Sequence, residues 1–186
     1  MKAIRAFFAV ALPQSIQKNI WSVLEPLRNA TPANLIRWTT PTYFHITLQF
    51  LQRLEIDHIQ ALTDGVHKVF KNKNKFYLEL GTLEWFPASK KPRLISLSVG
   101  PQDILRDLSA GIGQVISGLN YPVESRPFRG HLTIGRVVNH NVMLQQLLPM
   151  ELPIIPPVLI EEFYLIESKP GKEGSNYFPL AQFPLQ

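Results

Sequence analysis

Phe44–Phe50 reads FHITLQF, and Gly130–Arg136 reads GHLTIGR. Each stretch holds a histidine, an apolar residue, a threonine and a second apolar residue, in that order. This alternation has the period of a β-strand, in which successive side chains point to opposite faces. His45 and Thr47 therefore share one face while Ile46 and Leu48 enter a core. His131 and Thr133 likewise share a face, with Leu132 and Ile134 buried. Two strands with the same outward pair, one in each half of the chain, raise the question of what brings them together.

The flanks supply an answer. Around the first motif, Arg5–Leu12 is an apolar and aromatic strand, and Pro13 opens a helix at a position that tolerates proline. Ile16, Ile20, Val23, Leu24 and Leu27 form its apolar stripe. Leu35–Trp38 is a short strand, TTPT (39–42) a turn, and Tyr43–Leu51 the motif strand. Ile56, Ile59, Leu62, Val66 and Val69 mark a second helix, ended by KNKNK (71–75), and Phe76–Phe86 is a long strand. After the loop PASKKP (87–92) the order returns. Arg93–Val99 is a strand, and Pro101 opens a helix with Ile104, Leu105, Leu108, Ile112, Val115 and Leu119 on one face. The second motif strand runs His131–Val138, a short helix follows near Val142–Leu148, and Val158–Ser168 is a further strand. The turn KPGKEG (169–174) leads into a returning hairpin strand, SNYFPLAQFPL.

This pattern predicts an α+β fold: two pseudo-two-fold-related lobes, each a mostly antiparallel sheet backed by helices, with the active-site groove between them. The expected domain is a single bilobal unit over 1–186, with an internal repeat of about 3–86 and 90–168 and a closing hairpin to 186. Grooves between such lobes are where small-molecule sites form.

Composition agrees and excludes several classes. At 186 residues, 45% hydrophobic and 18% charged, the chain is too apolar for disorder and long enough to bury a core without staples. It has no cysteine, which removes disulfides and thiolate metal sites and suits a reducing cytoplasm, the expected location. The opening MKAIRAFFAVALPQS reads as a strand rather than a signal peptide, because Arg5 interrupts the apolar run and no small-residue cleavage site follows. No apolar run approaches the ~20 residues of a membrane helix. A net charge of +5 favours an anionic partner such as nucleic acid or a nucleotide, yet is too moderate to decide alone.

Facing imidazoles suit hydrolysis of a phosphodiester. In-line attack needs a base on one side of phosphorus to take a proton from water and an acid on the other to protonate the departing sugar oxygen. Histidine titrates near pH ~6.5, so one neutral and one protonated ring coexist near neutrality. The threonine hydroxyls donate to the non-bridging phosphate oxygens. No metal or cofactor is required. A zinc site built on His45 and His131 would need a further Asp, Glu or Cys, and neither motif holds one.

Other residues keep two readings open. Arg136 has the opposite strand parity to His131, so an ideal strand turns it away from the groove, and a twist or bulge after Gly135 brings it back as a phosphate clamp. Arg126 and Arg129 either flank the groove or belong to a solvated loop. KKPR (90–93) and KNKNK read as solvated loops, and His58, His67 and His140 as surface or boundary residues. Among Trp38, Tyr43, Phe44 and Phe128, core packing is the plainer role for each taken singly, and stacking on a base the alternative.

These residues resemble those of the two-histidine phosphoesterase superfamily, and within it the RNA 2′,3′-cyclic phosphodiesterases, also known as 2′-5′ RNA ligases of the LigT type. The resemblance runs nearly end to end: RAFFAVALPQSIQKNI, RWTTPTYFHITLQFL, RPFRGHLTIGR and IESKPGKEGSNYFPLAQFPL each match a region of that family. It implies His45 as proton donor to the leaving 3′ oxygen, His131 as proton acceptor from water, and Thr47, Thr133 and Arg136 as phosphate-binding residues. The implied reaction is metal-independent opening of an RNA 2′,3′-cyclic phosphate end to a 2′-phosphomonoester; reversed 2′-5′ joining stands beside it. Gln52 replaces a usual glycine, Gly130 a common proline, and Ser96 a frequent tryptophan. The alternatives are a phosphodiesterase for 2′-5′ oligonucleotides or small cyclic nucleotides, or a non-catalytic RNA-binding module. A monomer without an obligate protein partner is expected.

Overall fold

The computed structural model describes residues 2–88, 91–139, 147, 150–171 and 174–186. Its elements in order are β1 (Ala3–Ala11), α1 (Gln14–Val23), α2 (Glu25–Ala30), β2 (Ile36–Trp38), β3 (His45–Glu55), α3 (Ile59–Phe70), β4 (Phe76–Phe86), β5 (Leu94–Gly100), α4 (Gln102–Gly118), β6 (His131–Val137), β7 (Val158–Ile160), β8 (Glu162–Gly171) and β9 (Gly174–Pro184). The strands form two antiparallel sheets, one ordered β3-β1-β8-β9 and the other β2-β6-β5-β4-β7. The α+β class with two sheet lobes is as the pattern predicts.

The lobes do not coincide with the halves of the chain. β4, from the first half, is hydrogen-bonded between β5 and β7 in the second sheet, and β8, from the second half, lies between β1 and β9 in the first. The first motif strand, β3, is an edge strand beside β1 of its own half, whereas the second, β6, lies between β5 of its own half and β2 of the other. The exchanged strands each pair with the strand that follows, β4 with β5 and β8 with β9, so the crossing into the other sheet comes before them in the chain.

Two predicted elements are divided. The apolar stripe predicts one helix through Leu27, but that helix ends at Val23 and restarts as α2 with Pro26 in its first turn. A proline nitrogen donates no hydrogen bond and its ring crowds the preceding turn, so it is accepted only at a fresh N-terminus. The expected strand Val158–Ser168 is likewise two strands in different sheets: β7 pairs with β4, and after Glu161 the chain crosses to pair β8 with β1. An unbroken apolar run conceals such a crossing, since both pieces are buried. The helix expected near Val142–Leu148, and His140, lie outside the described residues apart from Leu147, which is buried.

One core serves both lobes. Phe8, Ile46 and Leu48 from the first sheet and Ile95, Leu97, Leu132 and Ile134 from the second belong to a single buried cluster with Leu105, Leu108 and Ile112 of α4. α4 touches both β3 and β5, and α3 packs on α4 and β9. The apolar residues of each motif face this shared interior, which turns the histidines and threonines the other way, toward the space between the sheets. Among the described residues no helix is long and apolar enough to cross a membrane.

Candidate active site

That space is a cavity of about 610 Å³ whose lining includes His45 and Thr47 of β3, His131, Thr133 and Arg136 of β6, Arg5 and Phe7 of β1, and Tyr177 of β9. Both motifs therefore deliver their polar pair to one place, as strand parity predicts. The two imidazoles are close enough that a proton on His131 disfavours one on His45.

Each ring is oriented by the same local device. Nδ1 of His45 lies 2.6 Å from the Tyr43 carbonyl oxygen, and Nδ1 of His131 lies 3.1 Å from the Arg129 carbonyl oxygen. A carbonyl only accepts, so Nδ1 carries the hydrogen in both cases. Nε2 is left to accept a proton when the ring is neutral and to donate one when it is charged. Aromatic walls fix the ring planes. Phe7 lies 4.9 Å and the edge of Tyr177 5.5 Å from His45, and Phe86 stacks on His131 at 4.0 Å. Burial is the main cause pulling both histidines below the usual imidazole value; the carbonyl contacts oppose it in each, and the Glu84 carboxylate opposes it only at His131.

Arg136 reaches the cavity through a bulge. In the β5–β6 ladder Thr133 faces Ser96 and Gly135 faces Ile95, so Ile134 is one residue more than its partner strand supplies. The extra residue reverses parity and returns Arg136 to the face of His131 and Thr133. Glycine is required at this point: a Cβ on Gly135 would stand 2.6 Å from Ile36 Cγ2. β3 repeats the device. Thr47 faces Ala9 and Gln49 faces Phe8, so Leu48 is the extra residue and Phe50 emerges into the cavity, five positions after His45 as Arg136 is after His131. The amide of Gln49 donates to the Ser109 carbonyl and hydroxyl at 3.0 Å each, which pins this bulge to α4.

Not every sequence candidate is here. Arg126 is on the surface, paired with Glu124 at 2.6 Å. Arg129 lies beside the site rather than in it: its guanidinium pairs with Glu84, and its carbonyl holds His131. Trp38 and Tyr43 line the cavity, Phe44 is buried in the core, and Phe128 lines a separate recess with Arg106 and Arg129. His58 meets the Tyr121 hydroxyl and His67 packs on Phe183, both away from the cavity. Sequence reasoning missed Arg5, Arg37, Phe50 and Tyr177. Phe50 had a signal in its equivalence to Arg136, and Arg5 in its alternation with Phe7.

The departure at Gly130 has a local explanation. Its N–H donates to Gln102 Oε1 at 2.9 Å, and its carbonyl accepts from Gln102 Nε2 at 2.8 Å. A proline has no N–H and would leave half of this clasp unmade. Ser96, in place of a bulky aromatic, is fully buried opposite Thr133, and Gln52 is exposed. Among the described residues no three histidine, aspartate or glutamate side chains converge as a metal-ligand group.

Known proteins similar to this chain in sequence and fold give this arrangement its context. The chain is 25% identical over 130 residues to an RNA 2′,3′-cyclic phosphodiesterase of Bacillus subtilis, covering 70% of this chain and 69% of that protein. Its fold matches that of apo E. coli LigT with a TM-score of 0.82 at 22% identity, over 100% of this chain and 99% of the other. It also matches a protein of Thermus thermophilus with a TM-score of 0.77 at 24% identity, over 98% of each chain. The family model for the 2′-5′ RNA ligase superfamily matches residues 16–171, most of the length over which the motif strands and their neighbours run, and the chain belongs to that superfamily.

Proposed function

We propose that this protein hydrolyses RNA 2′,3′-cyclic phosphate ends to 2′-phosphomonoesters by paired-histidine acid–base catalysis, with residues 1–186 acting as one bilobal unit. The observation that carries this reading is the delivery of two histidine–threonine pairs, from opposite sheets, to one cavity. The B. subtilis relative is named for this activity.

In the proposed reaction, neutral His131 takes a proton from water as the water oxygen attacks phosphorus. The bond from phosphorus to the 3′ oxygen breaks, and protonated His45 delivers its proton to that oxygen. The 2′ ester bond remains. Thr47 and Thr133 hold the non-bridging oxygens and Arg136 balances their charge in a site partly shielded from water. The surroundings of the rings support this division. Burial disfavours the charged form of both rings; beyond that, Glu84 favours a proton on His131, which suits the ring that receives one from water, and the charge of His131 loosens the proton on His45, which suits the donor. Phe50, exposed in the cavity with the Arg5 guanidinium 5.4 Å from its ring centre, offers a face on which the terminal base can stack.

A second activity, reversible joining of RNA ends through a 2′-5′ bond, is favoured by the description of the matching family. It uses the same groups with a sugar hydroxyl in place of water. We propose further that the protein acts as a monomer in the cytoplasm, on RNA, with no cofactor and no obligate protein partner.

The test is incubation with an oligoribonucleotide ending in a 2′,3′-cyclic phosphate, in the presence of EDTA, followed by identification of the product. A 2′-phosphomonoester is expected. A 3′-phosphomonoester, or turnover lost on chelation, would overturn the reading.

A further inference from the structure

β2 is a three-residue edge strand, and in its ladder with β6 Arg37 stands directly opposite Arg136. Both line the catalytic cavity, together with Arg5. Among the described residues, no aspartate or glutamate lines this cavity, and none of the three arginines is in an ion pair. Like charges directly opposite on neighbouring strands repel, and in a groove walled by protein water screens that repulsion less than on an open surface. Nothing in the packing of β2 demands a cation at position 37: Ile36 supplies its buried contact and Trp38 covers Gly135.

Charge arithmetic points to a ligand with more than one phosphate. A cyclic phosphodiester carries a single negative charge, and Arg136 with Thr47 and Thr133 already supplies a cation and two hydroxyl donors for it. Arg37 brings a further fork of five N–H donors, a geometry that suits phosphate. Thr39 and Thr40, which follow β2 in the chain, also line the cavity.

We propose that Arg37 forms a second phosphate subsite, which takes the 5′ phosphate of the terminal nucleotide while the cyclic phosphate lies between the histidines. This rests on the hydrolase reading above and narrows its substrate class to the end of an oligonucleotide rather than a nucleoside cyclic phosphate. The second phosphate also relieves the repulsion between Arg37 and Arg136 by placing negative charge beside both.

The test separates binding from turnover. Calorimetry compares adenosine 2′,5′-bisphosphate with adenosine 2′-monophosphate, on wild-type protein and on Arg37→Ala, Arg37→Gln and Arg53→Ala. Arg53 is exposed and paired with Glu55 outside the cavity. Wild-type protein is expected to bind the bisphosphate about tenfold more tightly, as a charge-assisted contact provides, and the difference is expected to shrink with added salt. Both Arg37 variants lose most of that preference and Arg53→Ala keeps it. Equal affinity of the two ligands for wild-type protein overturns the subsite. So does an Arg37 variant that weakens both ligands in the same proportion, or loss of the preference in Arg53→Ala. Hydrolysis of an oligoribonucleotide ending in a 2′,3′-cyclic phosphate is measured alongside: absent turnover with the preference intact sinks the reaction and supports the subsite, whereas turnover without the preference removes only the subsite.

Discussion

Phe86 lies flat on the imidazole of His131, with ring centroids 4.0 Å apart and planes 18° apart, whereas His45 meets Phe7 at 35° and Tyr177 edge-on at 88°. One histidine is backed by a parallel face, the other wedged between tilted rings. The motifs match, but the aromatic surroundings of their histidines do not.

The stack on His131 is expected to matter for position and for proton affinity. Phe86→Leu keeps an apolar side chain and removes the parallel face, a loss of about 0.5–1.5 kcal/mol, or roughly two- to tenfold in kcat. Relief of burial raises the His131 pKa, so the limb of the pH–kcat/KM profile assigned to it moves to higher pH. A profile that does not move would show the ring to be packing alone.

Replacing either proton carrier has a larger effect. His45→Ala and His131→Ala are each expected to lower kcat by at least ~10², with the affinity for adenosine 2′-monophosphate much less affected. Near-normal turnover in either variant removes the two-sided mechanism.

Both histidines titrate below the ordinary imidazole value, so kcat/KM of the free enzyme should follow a bell whose two limbs lie below pH ~6.5. Stability has a matching dependence. The unfolded chain binds these protons at higher pH than the folded one, so in the window below pH ~6.5 acidification favours unfolding. The contribution is complete above the unfolded value and is lost as pH falls toward the folded ones. Thermal melts from pH 7.5 to 5 are expected to show a falling Tm, with a shallower fall in His45→Gln. An equal slope in that variant would assign the acid sensitivity elsewhere.

Gly135→Ala tests the bulge. The added methyl group meets Ile36 Cγ2 at 2.6 Å and Ile95 Cγ2 at 3.2 Å, so β2 or β5 must shift. Overpacking of this sort costs about 1–3 kcal/mol, read by denaturant unfolding, and the shift displaces Arg136, read as a raised KM. A variant as stable and as active as wild type would mean that Arg136 does not depend on this turn of the strand.

What the sequence revealed followed from local period. The parity of a strand placed His45 with Thr47 and His131 with Thr133, and the anomaly of Arg136 was itself the signature of the bulge at Ile134 and Gly135. Phe50 carried the same offset from His45, but an aromatic residue in an apolar strand looks like core, so the parallel was hidden. Arg37 was invisible because its significance lies in which residue is opposite, a long-range property. The crossing at Glu161 was lost for a related reason: Val158–Ile160 and Phe163–Leu165 are apolar on either side of it, whichever sheet receives them.

Because each sheet completes itself with a strand from the far half of the chain, neither wall of the groove can assemble first and wait for the other. β4 must leave the first half before β6 has a finished sheet to rest in, and β8 must return before β3 does. The gap between the histidines is therefore closed by topology rather than by a hinge, and a nick that separated the halves would cost both walls together.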